Sequence, residues 1–468
     1  RPAGSPLDGN TVTGSNLPPA WGITTGNTAT VIAILDTGLL PHADLAGRAL
    51  PGYDFISSAF IANDGDGRDN DATDAGDWVA AGDDSNPICS GEPEAPSSWH
   101  GTAVAGIAAA GGNNGLWMAG INWQARLLPV RVLGKCGGYD SDILDAMRWA
   151  AGLPVAGVPD NPHPAHVINM SLGSESSCSI FYRDVLSQLA ARGVMVVAAT
   201  GNEYRSSTLN APANCAGVVA VTAHNADGLS AIYANVGPNT AISAPGGDVG
   251  TAPDGSSTGL ALLVSTLSND GSTSAGNDSR LESSGTSLAT PHVAGTLALL
   301  RGLLPEADAG RLRRFITETA QPHPAGSWCT LGTAGRNSYC GSGLLDAGAA
   351  LASAHAALAS NHLPALAGSS QLSGRTGRAL NARLRTSDAD GDTVRFIPVS
   401  LPDGVLLSGS GQVLWGNPVA GEHELRFRLH DGLQQTGELS ATVSIGEGGS
   451  GTGGGGGGSS GPWLLAVL

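Results

Sequence analysis

Short apolar runs that end in polar residues constrain the fold of this chain more than any other feature. The first run is VIAILD, residues 31–36. Similar runs lie at residues 125–134, 166–173, 194–203 and 218–225. Uninterrupted apolar runs of this length are typical of parallel strands that are buried on both faces. Helical patterns, such as residues 142–151 and 181–192, separate the runs, and this alternation predicts an α/β fold with a mainly parallel sheet.

An aspartate, Asp36, ends the first run. Functional groups of open α/β sheets gather at the carboxyl ends of the strands. A carboxylate in that place can orient a histidine and stabilise its imidazolium form. Taken alone, Asp36 favours an N-cap or turn aspartate before Thr37 and Gly38.

A histidine opens the next helical segment, WHGTAVAGIAAA, residues 99–110. The imidazole of His100 titrates near neutral pH, which suits a general base. A single histidine at a helix start is ordinarily only a cap or a surface residue.

A serine lies at the predicted start of another helix, in SSGTSLATPHVAG, residues 283–295. The free N–H groups and the positive dipole end of a helix suit a nucleophile that forms an oxyanion, and Ser287 occupies such a place. Pro291 is expected in the first turn, where a missing N–H is tolerated. Taken alone, this segment favours a simple Ser/Thr N-cap on a core helix.

Together, in this chain order, the three segments resemble the Asp, His and Ser boxes of the subtilisin-like serine proteases (subtilases). The resemblance extends from residue 12 to about residue 355. It implies a three-layer fold and an Asp–His–Ser triad of Asp36, His100 and Ser287. It also implies an oxyanion hole formed by the Asn202 side chain and the Ser287 backbone N–H. His292 falls in the family's Thr-Pro-His helix and is interpreted as structural.

The same resemblance locates a substrate cleft to which a peptide adds as an extra strand. Two segments, after the runs at 125–134 and 166–173, would form its edges. The S1 pocket would be built from residues 171–173, 199–202 and 208–211. The predicted substrate-binding residues are Gly137, Gly138, Ser171, Leu172, Gly173, Ala199, Thr200, Gly201 and Asn210.

An acidic stretch, residues 61–84, is a candidate calcium site. Closely spaced aspartates with interleaved glycines can wrap a hard cation, and so many like charges would otherwise repel one another. The stretch is not an EF-hand, because the terminal glutamate is missing. A solvated acidic loop is the alternative. Subtilases commonly bind calcium, and Asp44 falls where many have a ligand. The predicted ligands of a structural Ca²⁺ are Asp44, Asp64, Asp66, Asp69, Asp71 and Asp74.

A second group of aspartates, Asp388, Asp390 and Asp392, fits a polar turn better than a metal site.

The chain has six cysteines and no C-x-x-C pair, which argues against a zinc site or a thioredoxin-type motif. In an extracellular protein, six cysteines indicate three disulfides. Cys329 and Cys340 flank a short polar loop. In a subtilase fold Cys178 and Cys215 would follow neighbouring strands, and Cys89 and Cys136 would lie in loops near the cleft. We therefore expect the pairs Cys89–Cys136, Cys178–Cys215 and Cys329–Cys340.

Composition excludes one class of partner. Hydrophobic residues make up 41% of the 468 residues, enough for a sizeable core, and charged residues only 13%. The net charge of −17 argues against nucleic-acid binding, which needs a basic face.

Three regions are predicted along the chain. Residues 1–355 would form the peptidase domain, which includes an extended lead-in at 1–30 anchored by Trp21. Residues 360–446 alternate short β-patterned runs with turns, which predicts a β-sandwich, and they resemble bacterial immunoglobulin-like domains of secreted enzymes. Residues 447–468 join a Gly/Ser-rich linker to an apolar stub too short to span a bilayer. They resemble a GlyGly-type sorting tag, which would give a transient membrane tether.

These observations predict a secreted serine endopeptidase that acts on proteins or peptides through an acyl-enzyme. Members of the family are synthesised with a signal peptide and with a pro-segment that serves as inhibitor and folding aid. The sequence is therefore interpreted as a processed, mature chain. One alternative is an inactive subtilase scaffold that binds partners through residues 360–446; the intact triad and Asn202 count against it. A lipase or esterase would need a G-x-S-x-G elbow and the order Ser, Asp, His, and neither is present.

Overall fold

The computed structural model describes residues 14–249, 263–324, 327, 329 and 339–448. The chain divides into two units, Arg1–Asn361 and His362–Leu468. Of the tail compared above with a sorting tag, only residues 447 and 448 are described. Among the described residues, no helix has both the length and the apolar character needed to cross a membrane.

The first unit is built on a seven-stranded sheet in which all neighbours are parallel. The strand order is β2-β3-β1-β4-β5-β6-β7. The strands are β1 Val31–Asp36, β2 Tyr53–Asp54, β3 Arg126–Arg131, β4 Val167–Met170, β5 Met195–Ala199, β6 Val219–His224 and β7 Thr240–Pro245. Every residue of β1 is buried, as expected for a strand covered on both faces. The predicted parallel α/β sheet is confirmed.

Helices cover both faces of this sheet and make the fold three-layered. Val31, Ala33 and Leu35 share a core with residues of α4 and α5 on one face. Helices α3 and α6 pack against each other and against β1 on the other face. The helices of this unit are α1 Leu17–Ile23, α2 Ala59–Ala62, α3 His100–Ala109, α4 Asp140–Ala150, α5 Ile180–Ala191, α6 Thr286–Leu303, α7 Ala309–Glu318 and α8 Ala347–Ser360. An antiparallel hairpin, β8 Val264–Asn269 and β9 Asp278–Ser283, precedes α6.

Of the predicted extended lead-in, residues 1–13 lie outside the described residues, and within the described part residues 17–23 form the helix α1. Pro18 and Pro19 in the first turn explain this, since proline is preorganised for a helix start and its missing N–H is not needed there. Trp21 does anchor the segment. Its Nε1 donates to the carbonyl oxygen of Ile121 at 2.9 Å, and its ring packs against Trp123 with 4.7 Å between centroids.

Three disulfides tie loops of the first unit together. They join Cys89 to Cys136, Cys178 to Cys215 and Cys329 to Cys340, which are the pairs expected from the sequence. Cys215 is buried in the core between the sheet and helices α4 and α5. Cys89–Cys136 attaches the loop before His100 to the turn after β3.

The second unit is β-rich. A four-stranded sheet has the order β11-β18-β17-β14, a three-stranded sheet the order β12-β16-β15, and β10 pairs with β13. Its strands are β10 Ala365–Ala367, β11 Gln371–Arg375, β12 Leu380–Arg383, β13 Arg385–Ser387, β14 Arg395–Ser400, β15 Val405–Leu407, β16 Gln412–Trp415, β17 Gly421–His430 and β18 Leu439–Gly446. Phe396, Trp415 and Phe427 are buried in one core. An immunoglobulin-like relationship for this unit stays a prediction.

Candidate active site

The Asp36 carboxylate ends β1 and is fully buried. Its Oδ1 accepts hydrogen bonds from the Thr37 N–H at 2.8 Å and from His100 Nδ1 at 2.7 Å. A carboxylate can only accept, so Nδ1 of His100 carries the proton. This tautomer leaves Nε2 unprotonated in the neutral ring and able to accept a proton.

Backbone packing fixes the position of the first turn of the helix that begins at His100. Helix α3 starts at His100, and the preceding Trp99 adopts a left-handed conformation with φ 52°. Trp99 is buried and its Nε1 donates to the carbonyl oxygen of Gly271 at 2.7 Å. A side chain at Gly101 would overlap the carbonyl oxygen of Gly38, so the helix start lies directly against the Asp36 loop. Glycine is required at position 101 for this approach.

The charge of Asp36 changes the acidity of His100. Burial lowers the pKa of His100, but the Asp36 charge and its hydrogen bond outweigh burial, and Asp77 and Asp74 add to them. The net pKa is raised above the ordinary 6.5. The imidazole remains partly open, with 27% of its side chain exposed. A base with these properties can exchange protons with a molecule that binds in front of it.

Ser287 is the second residue of α6, and the side chain of Asn202 lies beside it. Asn202 Oδ1 accepts from both the N–H and the hydroxyl of Thr286 at 2.9 Å, which holds the amide in one orientation. A Cβ on Gly285 would lie 3.0 Å from Ser287 Oγ and 3.8 Å from both Asn202 Nδ2 and the Ser287 nitrogen. These three atoms therefore line one small space, which glycine at 285 leaves open.

Pro291 lies inside α6, one turn later than the first turn predicted from the sequence. A residue with an N–H at that position would donate to the carbonyl of Ser287, four residues earlier. Proline cannot, and the Ser287 carbonyl instead accepts from Ser171 Oγ at 2.7 Å. Asn169 Nδ2 donates to the same Ser171 oxygen at 3.0 Å. Because Pro291 has no N–H, the Ser287 carbonyl is available to Ser171, and this hydrogen bond attaches Ser287 to the segment after β4.

The sheet brings these groups to one edge. His100 meets Asp36 at the end of β1, and Ser287 is held at the end of the neighbouring strand β4. Helices α3 and α6 run away from this edge together, and Gly295 of α6 lies close to the carbonyl of Ala108 in α3. His292, on the same helix, is buried and bonds through Nδ1 to the Leu288 carbonyl oxygen at 2.9 Å. Burial lowers the pKa of His292 to about 4, so it stays neutral.

The predicted substrate-binding residues fall into two groups, one around strands β4 and β5 and the other in the turn after β3. Ser171, Leu172 and Gly173 follow β4, and Ala199, Thr200 and Gly201 end or follow β5. Asn210 connects these two segments: its N–H donates to the Thr200 carbonyl at 3.0 Å, and its side chain lies against Gly173 and Gly201. Gly137 and Gly138 lie apart from them, in the turn after β3. Strands β3 and β4 flank β1, so the two proposed cleft edges lie on either side of Asp36.

One carboxylate near Asn210 was not predicted. Glu203 accepts from Asn210 Nδ2 at 3.2 Å and from Asn235 Nδ2 at 2.5 Å, and its Oε2 lies close to Gly201. The sequence offered one signal, since Glu203 directly follows Asn202. Its partners could not be predicted, because Asn235 lies in a loop after β6.

The six predicted calcium ligands are not brought together. Asp44 accepts from Asn114 Nδ2 at 2.6 Å and from the Met118 N–H at 2.9 Å. Asp69 and Asp71 accept from backbone N–H groups of their own turns, and the exposed Asp66 donates its N–H to Asp64. Asp74 is buried and faces Thr37 and Gly76, and burial raises its pKa to about 6. Among the described residues, no three of these carboxylates share a metal-sized space.

A buried arginine, Arg131, supplies positive charge to the acidic loop instead. Its guanidinium pairs with Asp54 and with Asp64, the latter at 2.5 Å, and donates to the carbonyl oxygens of Ala62 and Thr37. Burial raises the pKa of Asp54 to about 7, and the charge of Arg131 acts in the opposite direction. Arg131 follows the apolar residues 127–130 at the end of β3, and a charged residue in such a place indicates a buried partner, a signal that was present in the sequence.

The raised pKa of His100 can be tested without a substrate. We expect its imidazole C–H resonance to titrate above pH 6.5 in the folded protein. Asp36→Asn removes the charge that stabilises the imidazolium while burial remains, so His100 should then titrate below pH 6.5. An NMR titration of both proteins provides the measurement, with the exposed His355 as an internal control. Equal titration of His100 in the two proteins would contradict the assigned contact.

The Peptidase_S8 model, described as the Subtilase family, matches residues 27–343. The chain is 44% identical over 344 residues to the extracellular protease of Xanthomonas campestris pv. campestris, across 73% of this chain and 54% of the relative. It is 40% identical over 337 residues to the extracellular basic protease of Dichelobacter nodosus, across 69% of this chain and 50% of the relative.

A solved structure, titled as proteases from Pseudoalteromonas arctica PAMC 21717, is also similar. It has 44% sequence identity and a TM-score of 0.65, and the match covers 73% of this chain and 94% of that one. The present chain spans about half the length of the two curated relatives. Family match, relatives and fold agree: this chain belongs to the subtilase family.

Proposed function

We propose that this chain is a serine endopeptidase in which Asp36, His100 and Ser287 form the catalytic triad. The hydrogen bond of 2.7 Å between His100 Nδ1 and the buried Asp36 is the observation that carries the proposal. It selects the tautomer whose Nε2 can take the proton of Ser287 as Oγ attacks a peptide carbonyl. His100 then returns that proton to the leaving amine, and water hydrolyses the acyl-enzyme by the same route.

Two donors are proposed to hold the oxyanion. They are the Asn202 side-chain amide and the backbone N–H of Ser287 at the start of α6. The bonds from Thr286 to Asn202 Oδ1 support this role, because they orient the amide before a substrate arrives. Preorganised donors stabilise developing charge more effectively than donors that must reorient.

The substrates are proposed to be proteins or peptides outside the cell. Two relatives are named extracellular proteases. Three disulfides also fit an oxidising compartment. A peptide would extend along the segments after β3 and β4, with its P1 side chain near Asn210. Because subtilases are made with a pro-segment, we include a pro-segment as the inhibitor and folding partner of this chain.

Covalent labelling tests the nucleophile. A fluorophosphonate probe should label the native protein at Ser287, because only a serine activated by a base reacts readily. Ser287→Ala should lose labelling and peptide hydrolysis while keeping its melting temperature. Ser284→Ala, three residues earlier in the same segment, is the matched control and should label normally. Labelled Ser287→Ala, or an unlabelled native protein, would refute the assignment.

Kinetics test the oxyanion donor. Asn202→Ala should lower kcat about a hundred- to a thousandfold, the cost of losing one such donor, with little change in KM. The split arises because the hydrogen bond strengthens only as negative charge develops. Asn239→Ala, at an exposed asparagine before β7, serves as the control. A rise in KM with kcat preserved would assign Asn202 to substrate binding instead.

A structural calcium ion is a separate proposal, supported by family membership, since subtilases commonly bind structural calcium. The six predicted ligands do not fit a single site here, because the carboxylates of five of them bind Arg131, backbone N–H groups or other polar side chains, and the sixth, Asp66, is exposed. We therefore propose a stabilising calcium for the chain without assigning it to the acidic loop.

Chelation tests separately whether the protein binds a stabilising calcium ion and whether that ion lies in the acidic loop. EDTA should lower the melting temperature of the Ser287→Ala protein, by an amount equivalent to about 2.7 kcal/mol if calcium had been at a hundredfold excess over its Kd. The double variant Asp69→Asn, Asp71→Asn should respond to EDTA as its parent does. If EDTA leaves the melting temperature of the parent unchanged, the proposal of a structural calcium ion is wrong. If EDTA lowers the melting temperature of the parent but not that of the double variant, the calcium ion binds in the acidic loop.

A further inference from the structure

Asp74 has a place in this molecule that neither the triad nor a metal site explains. It is 3% exposed and lies between the Asp36 and His100 segments in the sequence. Its Oδ2 accepts from Thr37 Oγ1 at 2.6 Å, and its Oδ1 accepts from the Gly76 N–H at 2.9 Å. A buried carboxylate is costly unless donors satisfy it, and here both oxygens are satisfied.

The direction of each hydrogen bond around Thr37 follows from the groups involved. A carboxylate accepts and a backbone N–H donates, so the Thr37 hydroxyl must give its proton to Asp74. Its lone pair then accepts from the Gly101 N–H, which lies 3.0 Å away. Asp74 thus sets the orientation in which Thr37 can receive the first turn of α3.

Two members of this hydrogen-bond relay, which runs from Asp74 through Thr37 to Gly101, are each one residue from the triad. Thr37 directly follows Asp36, and its own N–H donates to Asp36 Oδ1 at 2.8 Å. Gly101 directly follows His100. The Thr37 carbonyl accepts from Arg131 Nε at 3.1 Å, so every polar group of Thr37 is used.

The three backbone segments involved lie in direct contact. Gly38 has φ 112°, and a side chain there would lie 2.8 Å from the Cα and nitrogen of Asp74. A side chain at Gly101 would overlap Gly38. At this packing density a shift of the Asp74 segment is transmitted to both neighbours rather than absorbed.

We propose that Asp74 and Thr37 are positioning residues that hold the start of α3 against the Asp36 loop and thereby fix the contact between Asp36 and His100. This inference rests on the proposed peptidase function. Because the relay touches neither substrate nor reacting atoms, its loss should lower the rate of the chemical step and leave substrate binding unchanged. Misplacement by about 1 Å can cost on the order of a hundredfold in rate.

Four variants test the relay: Asp74→Asn, Thr37→Val, Thr37→Ser and the double variant Asp74→Asn, Thr37→Val. We expect Asp74→Asn and Thr37→Val to lower kcat roughly ten- to a hundredfold per active site, counted by fluorophosphonate titration, with KM unchanged. Thr37→Ser keeps the hydroxyl and should recover most of the rate. The double variant should be no slower than the slower single variant, because both remove one relay.

Asp84→Asn is the matched control, since it removes one carboxylate from an exposed position before His100 and should not change kcat. A lower melting temperature with kcat per titrated site unchanged would overturn the inference and leave Asp74 a structural residue. Losses that multiply in the double variant would also overturn it. If Asp74→Asn does not fold, equal rates for Thr37→Val and Thr37→Ser overturn the proposal, and a gap between them supports it.

Failure of the inference is distinguishable from failure of the proposed function. A native protein that neither labels nor cleaves peptides would sink the peptidase assignment itself. A native protein that labels and cleaves, with Asp74→Asn equal to it in kcat, would sink only the relay.

Discussion

The hydrogen bond between the buried Asp36 carboxylate and His100 Nδ1 is the interaction on which the rest of the site depends. Asp36 ends a strand that is paired in parallel on both sides, so the sheet determines where its charge lies. A buried charge must be met by donors, and the nearest are the Thr37 N–H and the imidazole. The left-handed backbone of Trp99 and the glycines at 38 and 101 allow the helix of His100 to begin close to Asp36. The imidazole can therefore act as one of these donors.

Arg131 links this strand end to the acidic loop. It lies opposite Asp36 in the parallel pairing of β1 and β3, and its guanidinium serves Asp54, Asp64 and two backbone carbonyls. A guanidinium offers five donors in a fixed geometry, which suits several acceptors around one point. The loop is therefore ordered by a cation belonging to the chain, and the same residue supports the backbone of Thr37.

The sequence predicted the parts of this structure that depend on local pattern. Apolar runs located the strands, and the boxes around Asp36, His100 and Ser287 located residues that the sheet gathers at one edge. The contacts of polar side chains were harder, because packing decides them between distant segments. Thr37 and Asp74 are 37 residues apart, and Arg131 and Asp64 are 67 apart. Closely spaced aspartates and the family resemblance indicated a metal in the acidic loop, whereas the structure places the buried Arg131 against it.

The most direct test is a crystal structure of the protein bound to a peptide boronic acid, which mimics the tetrahedral intermediate. Our account predicts a covalent bond from boron to Ser287 Oγ. One boronate oxygen should lie about 2.7–3.1 Å from both Asn202 Nδ2 and the Ser287 nitrogen, where an oxyanion would be held. The bond between His100 Nδ1 and Asp36 should persist. A boronate attached elsewhere, or an adduct whose oxygens avoid Asn202, would contradict the account.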